Sequence, residues 1–406
     1  MNRRALGGLI CCLVGLCSLS SLPALATEVL VSSRDSGEIY KFDLTTRVGT
    51  PFISGAASGL SGPVGMRYGP DGNLYVSNFF SNEIRKYNGT TGAPMGVFVS
   101  ASAGLSAPSD LRFGPDGNLY VTNYADSLIM RFNGQTGAPL PGDAGKAFAT
   151  GGTLNQGTSI EFKGNTMYVA DFGSDKILQY DITKPPPVGS TTFADMTPFL
   201  TDNGFSPGGM TFGPGGDVYV SGLLGQTIGV FSSTGAPIRQ FSTPSVAFPS
   251  DLVMAPDGQL LVASTGLNGV LSFNPLTGQQ NYVDPKLNPD GLYLTNPGIA
   301  IAGQILLVAV PGDANEDAIV DGADYVTWAD HFLQTTNRGA AWGDFDHSGV
   351  VNGADYVLWA DHFKPVTPLA SFAAVPEPST LVLSGWGLLA ALLMFWRRTG
   401  PGRTSR

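Results

Sequence analysis

The feature that most constrains this chain is an eight-residue stretch that occurs twice without change. Gly69-Pro-Asp-Gly-Asn-Leu-Tyr-Val76 returns as Gly114-Pro-Asp-Gly-Asn-Leu-Tyr-Val121. Weaker copies occupy residues 163–169, 213–220, 255–262 and 303–308. Each copy joins a turn to a short apolar strand, which is the signal of a β-hairpin. The valines that end these strands recur every 42 to 51 residues. This period, with several short strands per unit, predicts the blades of a mainly β fold, a β-propeller.

The number of blades follows from the strand pattern inside each repeat. In one repeat we predict strands at 108–113, 118–123, 128–133 and 146–150, from alternating polar and apolar residues. The first-strand pattern has six copies, which begin near Pro63, Pro108, Gly157, Pro207, Pro249 and Pro289. The chain would enter at a second strand (28–32) and end after a first strand (291–294), so that its two ends share one blade. We predict six blades over residues 27–310, and an additional apolar segment at 304–309 leaves seven as the alternative.

The charge of the chain excludes one class of partner. Residues 27–380 carry 16 basic and 32 acidic side chains. Nucleic-acid phosphates recruit basic patches, so we expect no nucleic-acid partner. An acidic body instead suits a soluble surface or the binding of cations.

The first 26 residues have the pattern of a secretory signal peptide. Arg3 and Arg4 precede an apolar run that ends at Leu19, and Ala24-Leu-Ala26 offers small residues for cleavage. All three cysteines fall within the first 17 residues. We therefore expect an exported protein that has no disulfide bond after cleavage.

The repeat resembles known families. The pattern Pro-x-Asp-Leu-x-Phe-Gly-Pro-Asp-Gly-Asn-Leu-Tyr-Val-Thr-Asn at 108–123, followed by Ile-x-Arg-Phe-Asn at 129–133, resembles NHL-type repeats. It is also similar to the six-bladed propellers of streptogramin lyases and gluconolactonases. A streptogramin-type lyase depends on a histidine for acid–base work, and the histidines here (His331, His347 and His362) all follow the propeller. A gluconolactonase-like metal hydrolase needs only acid and amide ligands, so that activity stays open. We predict no catalytic residue.

By analogy with such rings, polar residues before the first strand or after the second strand of a blade should face the central channel. These residues are Asn78, Asp110, Asn123, Ser159, Asp171 and Asp251. Their oxygen atoms are candidate ligands for a divalent cation or a polar molecule. The alternative is that they cap turns and strand ends through local hydrogen bonds.

Residues 311–364 contain two acidic loops with the spacing of calcium-binding loops. Oxygen-bearing side chains occupy loop positions 1, 3, 5, 9 and 12, and position 7 contributes a backbone carbonyl. The first set is Asp313, Asn315, Asp317, Ile319, Asp321 and Asp324. The second set is Asp344, Asp346, Ser348, Val350, Asn352 and Asp355. We predict two calcium sites, the alternative being metal-free loops held by asparagine and aspartate turns.

Each loop runs into nearly the same helix, at 323–332 and 354–363, with one aromatic stripe that we expect to pack on the other. A pair of loop–helix units with aspartate at position 12 and no preceding helix resembles a type I dockerin. That resemblance implies a cohesin-like partner. Positions 10 and 11 hold Gly-Ala in both loops rather than the Ser-Thr pairs often found there. Another surface protein is therefore an alternative partner, and a third possibility is that the module braces the propeller.

The C-terminal segment has three parts after a linker at 365–375. Val375-Pro376-Glu377-Pro378-Ser379 is followed by an apolar run at 381–396 and by Arg397-Arg398. We predict a transmembrane helix within 376–406, with the arginines on the cytoplasmic side. The order resembles a PEP-CTERM sorting signal, which implies an exosortase-type processing enzyme, passage through the inner membrane and display at the cell surface or in the matrix. A plain membrane anchor is the alternative.

The leading functional hypothesis is an exported, non-enzymatic binding or scaffold protein with a calcium-stabilised docking module. The competing hypothesis is a secreted enzyme that uses the propeller channel. That enzyme would be a lactonase-like metal hydrolase or a polysaccharide-degrading component.

Overall fold

The computed structural model describes residues 28–363 except 45, 141–146, 151–153, 201–203, 242–247, 267–268, 282–293, 296–304, 309 and 316–319. The predicted signal peptide, the linker, the sorting motif and the predicted transmembrane helix lie outside the described residues. Within the described part, no helix is both long enough and apolar enough to cross a membrane.

The described residues form six four-stranded antiparallel sheets, which are the blades of a six-bladed β-propeller. Blade 1 contains β1 (Glu28–Ser33), β2 (Glu38–Asp43), β3 (Gly49–Ile53) and β24 (Ile305–Leu307). Blade 2 contains β4 (Pro63–Tyr68), β5 (Leu74–Asn78), β6 (Glu83–Tyr87) and β7 (Pro94–Val99). Blade 3 contains β8 (Pro108–Phe113), β9 (Leu119–Asn123), β10 (Leu128–Phe132) and β11 (Ala149–Thr150).

The remaining blades follow the same order. Blade 4 contains β12 (Gly157–Lys163), β13 (Thr166–Asp171), β14 (Lys176–Asp181) and β15 (Thr191–Asp195). Blade 5 contains β16 (Pro207–Phe212), β17 (Val218–Gly222), β18 (Thr227–Phe231) and β19 (Pro237–Phe241). Blade 6 contains β20 (Pro249–Met254), β21 (Leu260–Ser264), β22 (Gly269–Phe273) and β23 (Leu294–Thr295). The helices α1 (Gly322–His331) and α2 (Gly353–His362) come after the blades.

The ring closes between its two ends, but not through the strand that the sequence suggested. β24 pairs antiparallel with β1, with Ile305 opposite Val31 and Leu307 opposite Val29. The segment predicted as the closing first strand (291–294) is described only at Leu294, which lies in β23. That strand instead pairs with β22 as the outer strand of blade 6. The 304–309 segment, which left a seventh blade open, thus supplies the inner strand of blade 1. Ile305 and Leu307 are buried there, and their pairing covers the edge of β1.

The tyrosine of the repeated stretch packs neighbouring blades together. Tyr120 meets Phe148 of its own blade at a centroid distance of 5.0 Å and Phe162 of the next blade at 5.4 Å, both edge-on. Tyr75 and Tyr168 make the same pair of contacts in their blades. Such edge-to-face pairs contribute about 0.5–1.5 kcal/mol each beyond area burial. The repeated stretch therefore forms a hairpin and also supplies the tyrosine that packs against the next blade.

The Asp and Gly residues of the repeated turn also serve this tyrosine. The Tyr120 hydroxyl donates to Asp116 at 2.9 Å, and the Tyr75 hydroxyl donates to Asp71 at 3.0 Å. A Cβ on Gly114 would lie 2.7 Å from the Tyr120 ring, so the turn must begin with glycine for the ring to pack there. The turn and the core contact are thus one structural unit.

Candidate functional site

The second acidic loop gathers three carboxylates. Ligand oxygens of Asp344, Asp346 and Asp355 all lie within 4.8 Å of one another, and no second group of three or more His, Cys, Asp or Glu side chains has this spacing in the described part of the chain. Backbone amides orient two of these side chains. Asp355 accepts from the backbone N–H groups of Asp346 and Asn352 at 3.0 and 2.8 Å. Asp344 accepts from those of Ser348 and Gly349, both at 2.9 Å.

The electrostatics of this loop favour a bound cation. Burial raises the pKa of Asp344, and the nearby charges of Asp346 and Asp355 raise it further. Burial also acts to raise the pKa of Asp346, but hydrogen bonds from Ser348 outweigh it and leave that pKa below its ordinary value. Carboxylates held this close repel one another unless a proton or a cation lies between them. Hard oxygen ligands of this kind suit calcium.

Three predicted calcium ligands of the second loop are neutral, and hydrogen bonds connect them. The carbonyl oxygen of Val350 accepts from the Asn352 side-chain amide at 2.9 Å and from the Ser348 hydroxyl at 3.3 Å. These three predicted ligand residues therefore lie at one end of the loop. Gly349 has φ of 85°, which permits the sharp turn before Val350.

The first loop is described only in part, because Asp317 and Ile319 lie outside the described residues. Asp324 is buried and accepts from the backbone N–H groups of Ala314 at 2.7 Å and Asp321 at 2.8 Å. Burial raises its pKa, with a further contribution from Asp321. Asp324 and Asp355 thus each accept from the backbone N–H at loop position 9 and from one backbone N–H near the start of their loop. Asp313 is buried and Asn315 is exposed.

The two helices bind each other's loops in a reciprocal way. The Trp328 indole N–H on α1 donates to the carbonyl of Asn352 at 2.9 Å, and that of Trp359 on α2 donates to the carbonyl of Asp321 at 2.8 Å. Asp321 and Asn352 are the helix N-caps. The predicted aromatic stripes meet as Trp328 on Tyr356, at a centroid distance of 5.2 Å, and as Trp359 on Tyr325, at 5.1 Å. Each loop is thus held by the helix that follows the other.

The three histidines have packing roles in this part of the chain. His331 and His362 place Nδ1 2.8 Å from a carbonyl of their own helix, and His331 also stacks on Trp342. His347 places Nδ1 2.7 Å from the carbonyl oxygen of Pro70, on the repeated turn of blade 2.

Three of the predicted channel residues point into loops of the ring instead. Asn78 donates to the Gly59 carbonyl at 3.0 Å, and Asn123 donates to the Gly104 carbonyl at 2.9 Å. Asp171 accepts from the Asn155 backbone N–H at 2.8 Å. Asn78, Asn123 and Asp171 are fully buried and fix the loop that precedes the first strand of their blade. Burial is the main cause that raises the pKa of Asp171 to about 6.

Asp110 and Asp251 join the inner strands of neighbouring blades. Asp110 on β8 accepts from the backbone N–H of Ile160 on β12 at 2.8 Å, and Asp251 on β20 accepts from Ile305 on β24 at 3.1 Å. Ser159, at the equivalent place on β12, is also buried. Burial is the main cause that raises the pKa of Asp251 to about 7. The positive charge of Arg67 acts to lower this pKa, and the negative charge of Asp110 acts to raise it. Asp110, Asp171 and Asp251 form no cluster with metal-ligand spacing among the described residues.

A charged network on the inner strands was missed by sequence reasoning. Glu161 on β12 forms a salt bridge with Arg112 on β8 and a second one, at 3.5 Å, with Arg67 on β4. The three side chains are only 8–16% exposed, and among the described residues the buried Nε of Arg67 has no hydrogen-bond partner. They face Tyr75, Tyr120 and Tyr168 in the strand registers. One signal in the sequence could have revealed this network. Three inner strands, about half of whose other residues are apolar, have a charged residue at the same position of the repeat.

The fold and these sites define a six-bladed propeller with an acidic loop–helix pair. Residues 60–266, just over half of the chain, match the family described as "SMP-30/Gluconolactonase/LRE-like region", and the chain belongs to that family. Residues 374–398 match the PEP-CTERM protein-sorting motif, which is typical of exported proteins that are anchored at the membrane or the cell surface. No curated protein sequence matches this chain.

Solved structures align with this chain. The structure described as a nidogen/laminin complex aligns with a TM-score of 0.55 at 13% identity, over 70% of this chain and 98% of that chain. A streptogramin B lyase aligns with a TM-score of 0.44 at 17% identity, over 63% and 78%. Virginiamycin B lyase from Staphylococcus aureus gives 0.45 at 17% identity, over 63% and 81%. Identities this low concern the fold alone.

Proposed function

We propose that this chain is an exported, envelope-displayed and non-enzymatic binding or scaffold protein. In this proposal the propeller is the displayed domain, and residues 311–364 are a dockerin-like docking module that calcium stabilises. The observation that carries the proposal is the Asp344, Asp346 and Asp355 group, which lies next in the chain to a sorting motif. A docking partner would be a cohesin-like protein or another surface protein.

The calcium ligands follow from the two loops. In the second loop they are Asp344, Asp346, Ser348, the Val350 carbonyl, Asn352 and Asp355. In the first loop they are Asp313, Asn315, Asp317, the Ile319 carbonyl, Asp321 and Asp324. The reciprocal tryptophan hydrogen bonds support a shared stability, because the loss of one loop's geometry would remove a partner from the other helix.

The sorting part of the proposal rests on the C-terminal motif. An exosortase-type enzyme would recognise Val375, Pro376, Glu377, Pro378 and Ser379, and the apolar run after them would hold the chain in the inner membrane before processing. The exported body would then remain at the cell surface or in the extracellular matrix.

A lactonase-like metal hydrolase is the second candidate, and family membership favours it. Against it stand the backbone hydrogen bonds that engage Asp110, Asp171 and Asp251 in separate places. Turnover of gluconolactone in the presence of Ca²⁺, Mn²⁺ or Zn²⁺ that disappears in Asp251→Ala would favour the enzyme and contradict a non-enzymatic propeller.

Calcium titration calorimetry on the purified full-length chain tests the docking module. We expect two bound ions in the wild-type chain and a weakened second site in Asp346→Ala. Asp346 is exposed and does not cap a helix, so this change should remove a ligand without unfolding α2. Substitution of a residue that only hydrogen-bonds to a metal ligand lowers metal affinity by roughly 10–100-fold. Loss of a ligand itself should lower the calcium affinity of the second site by at least as much.

The matched control is Asp361→Ala, which removes an exposed carboxylate from α2 outside the loop. It should bind calcium as the wild-type chain does. Absence of calcium binding in the wild-type chain, or equal losses in the two variants, would refute the proposed site.

A further inference from the structure

The acidic module is seated on the propeller through the repeated turn of blade 2. His347 approaches the Pro70 carbonyl at 2.7 Å, and its ring lies 3.0 Å from where a Cβ on Gly72 would be. Gly339, just before the second loop, is closer still, since a Cβ on it would lie 2.0 Å from the Pro70 oxygen. Backbone therefore meets backbone here, and two glycines make that approach possible.

His347 is also part of the proposed calcium loop, between Asp346 and Ser348. Its φ is 56°, a left-handed conformation that a non-glycine residue rarely adopts. The conformation is held by the next residue, whose backbone N–H donates to Asp344 and Asp346, both at 2.9 Å. The direction of the imidazole thus depends on the arrangement of the loop carboxylates.

Those carboxylates work against the arrangement when no cation is bound. Two like charges about 5 Å apart repel each other, and the repulsion is several-fold stronger where water is excluded than in bulk water. Asp344, Asp346 and Asp355 include three such pairs. A divalent cation would turn this repulsion into attraction.

We propose that calcium in the second loop fastens the module to the propeller, and that its removal releases the 69–72 turn. This inference rests on the proposed calcium site. The cation would hold the loop conformation in which His347 contacts Pro70. The contact between the module and the propeller would then depend on the calcium concentration. Because α2 is the last described element before the sorting motif, this contact would join the displayed ring to its point of attachment.

The chain contains its own reference for a test. The turn at 114–117 has the same sequence as the one at 69–72 and the same backbone hydrogen bonds, from Gly114 to Asn118 and from Gly117 to Gly114. A Cβ on Gly117 would meet nothing within 4 Å, whereas Gly72 meets His347. A difference in protection between the two turns therefore reports the seated module.

Hydrogen exchange followed by mass spectrometry on the full-length chain compares peptides 66–76 and 111–121, which contain the two turns and differ in mass because Met66 and Tyr68 correspond to Leu111 and Phe113. With calcium we expect the 66–76 peptide to exchange roughly tenfold more slowly than the 111–121 peptide. With a chelator the two should exchange alike. His347→Ala should abolish the difference while calorimetry still detects calcium, and His362→Ala, a helix histidine away from Pro70, should change neither.

The outcomes separate the two proposals. If calcium binds and the 66–76 peptide is unaffected by the chelator or by His347→Ala, the calcium-dependent seat is wrong and the calcium site stands. If the wild-type chain binds no calcium, both are wrong. Slowing of both peptides by calcium would also overturn the inference, because it would reflect general stabilisation of the ring.

Discussion

Glu161→Gln is expected to destabilise the propeller by about 3–5 kcal/mol, because it leaves two largely buried arginines without their shared carboxylate. Arg67 and Arg112 are 8% and 16% exposed, and the Nε of Arg67 already lacks a partner. Glutamine keeps the size of the side chain, so the loss would arise from charge and not from a cavity. The free energy of unfolding should be measured by urea denaturation at constant calcium concentration.

The matched control is Glu83→Gln. Glu83 pairs with Arg85 on the same strand at 3.2 Å, with both side chains about a quarter exposed (23% and 25%). An ion pair this accessible contributes about 0–1 kcal/mol. Equal destabilisation by the two substitutions would show that Glu161 is not the centre of a buried network.

The stability of the wild-type propeller is expected to fall as pH rises from about 4 to about 7, with Asp251 as the main cause and Asp171 adding to the fall below about pH 6. Burial raises the folded-state pKa of this carboxyl to about 7, above its ordinary 3.8. The folded chain therefore binds the proton more tightly than the unfolded chain does. The stability that this proton provides is fully present below the pKa of the unfolded state. As pH rises from there to the pKa of the folded state, this stability is lost at about 1.4 kcal/mol per pH unit.

Asp251→Asn should reduce this slope to the part that Asp171 contributes below about pH 6, since an amide does not titrate and keeps an oxygen that can accept from the Ile305 backbone. The control is Asp257→Asn, which lies exposed on the turn of the same blade. Urea unfolding at several pH values should give nearly parallel stability profiles for wild type and Asp257→Asn and a flatter profile for Asp251→Asn. A wild-type profile parallel to that of Asp251→Asn would contradict the assignment.

These two experiments also bear on the choice between scaffold and enzyme. Glu161 and Asp251 both lie on inner strands, and Arg67 connects them, because it contacts Glu161 and acts on the pKa of Asp251. Large stability effects would mean that the polar groups of the inner strands serve mainly to hold blades together. The enzymatic alternative would then have to draw its ligands from other residues.

The sequence predicted the blades well because their signals are local. The strand 108–113 has the predicted bounds, since the alternation of side chains and the turn residues act within a few positions of the chain. The acidic loops were recognised for the same reason. Their capping boxes and loop hydrogen bonds join residues at most ten positions apart.

The orientation of polar side chains in the ring could not be predicted in this way. From their place beside a strand, Asn78 and Asp110 had the same two predicted roles, a channel ligand or a local cap. One caps a loop of its own blade and the other reaches a strand 50 residues further along the chain. Which of these partners a side chain meets depends on how blades are stacked, and that information is absent from a single repeat.

By itself, the sequence determined the repeat, its turns, most of its strands and the spacing of the acidic loops, because these depend on backbone preferences and near neighbours. Tertiary structure alone decided that Ile305–Leu307 closes the ring, that Arg67, Arg112 and Glu161 form one network, and that His347 meets Pro70. That last contact joins residues 277 positions apart, on a turn whose identical copy at 114–117 has no such neighbour at its final glycine. Identical sequences cannot differ in local preference, so only their places in the packed chain distinguish them.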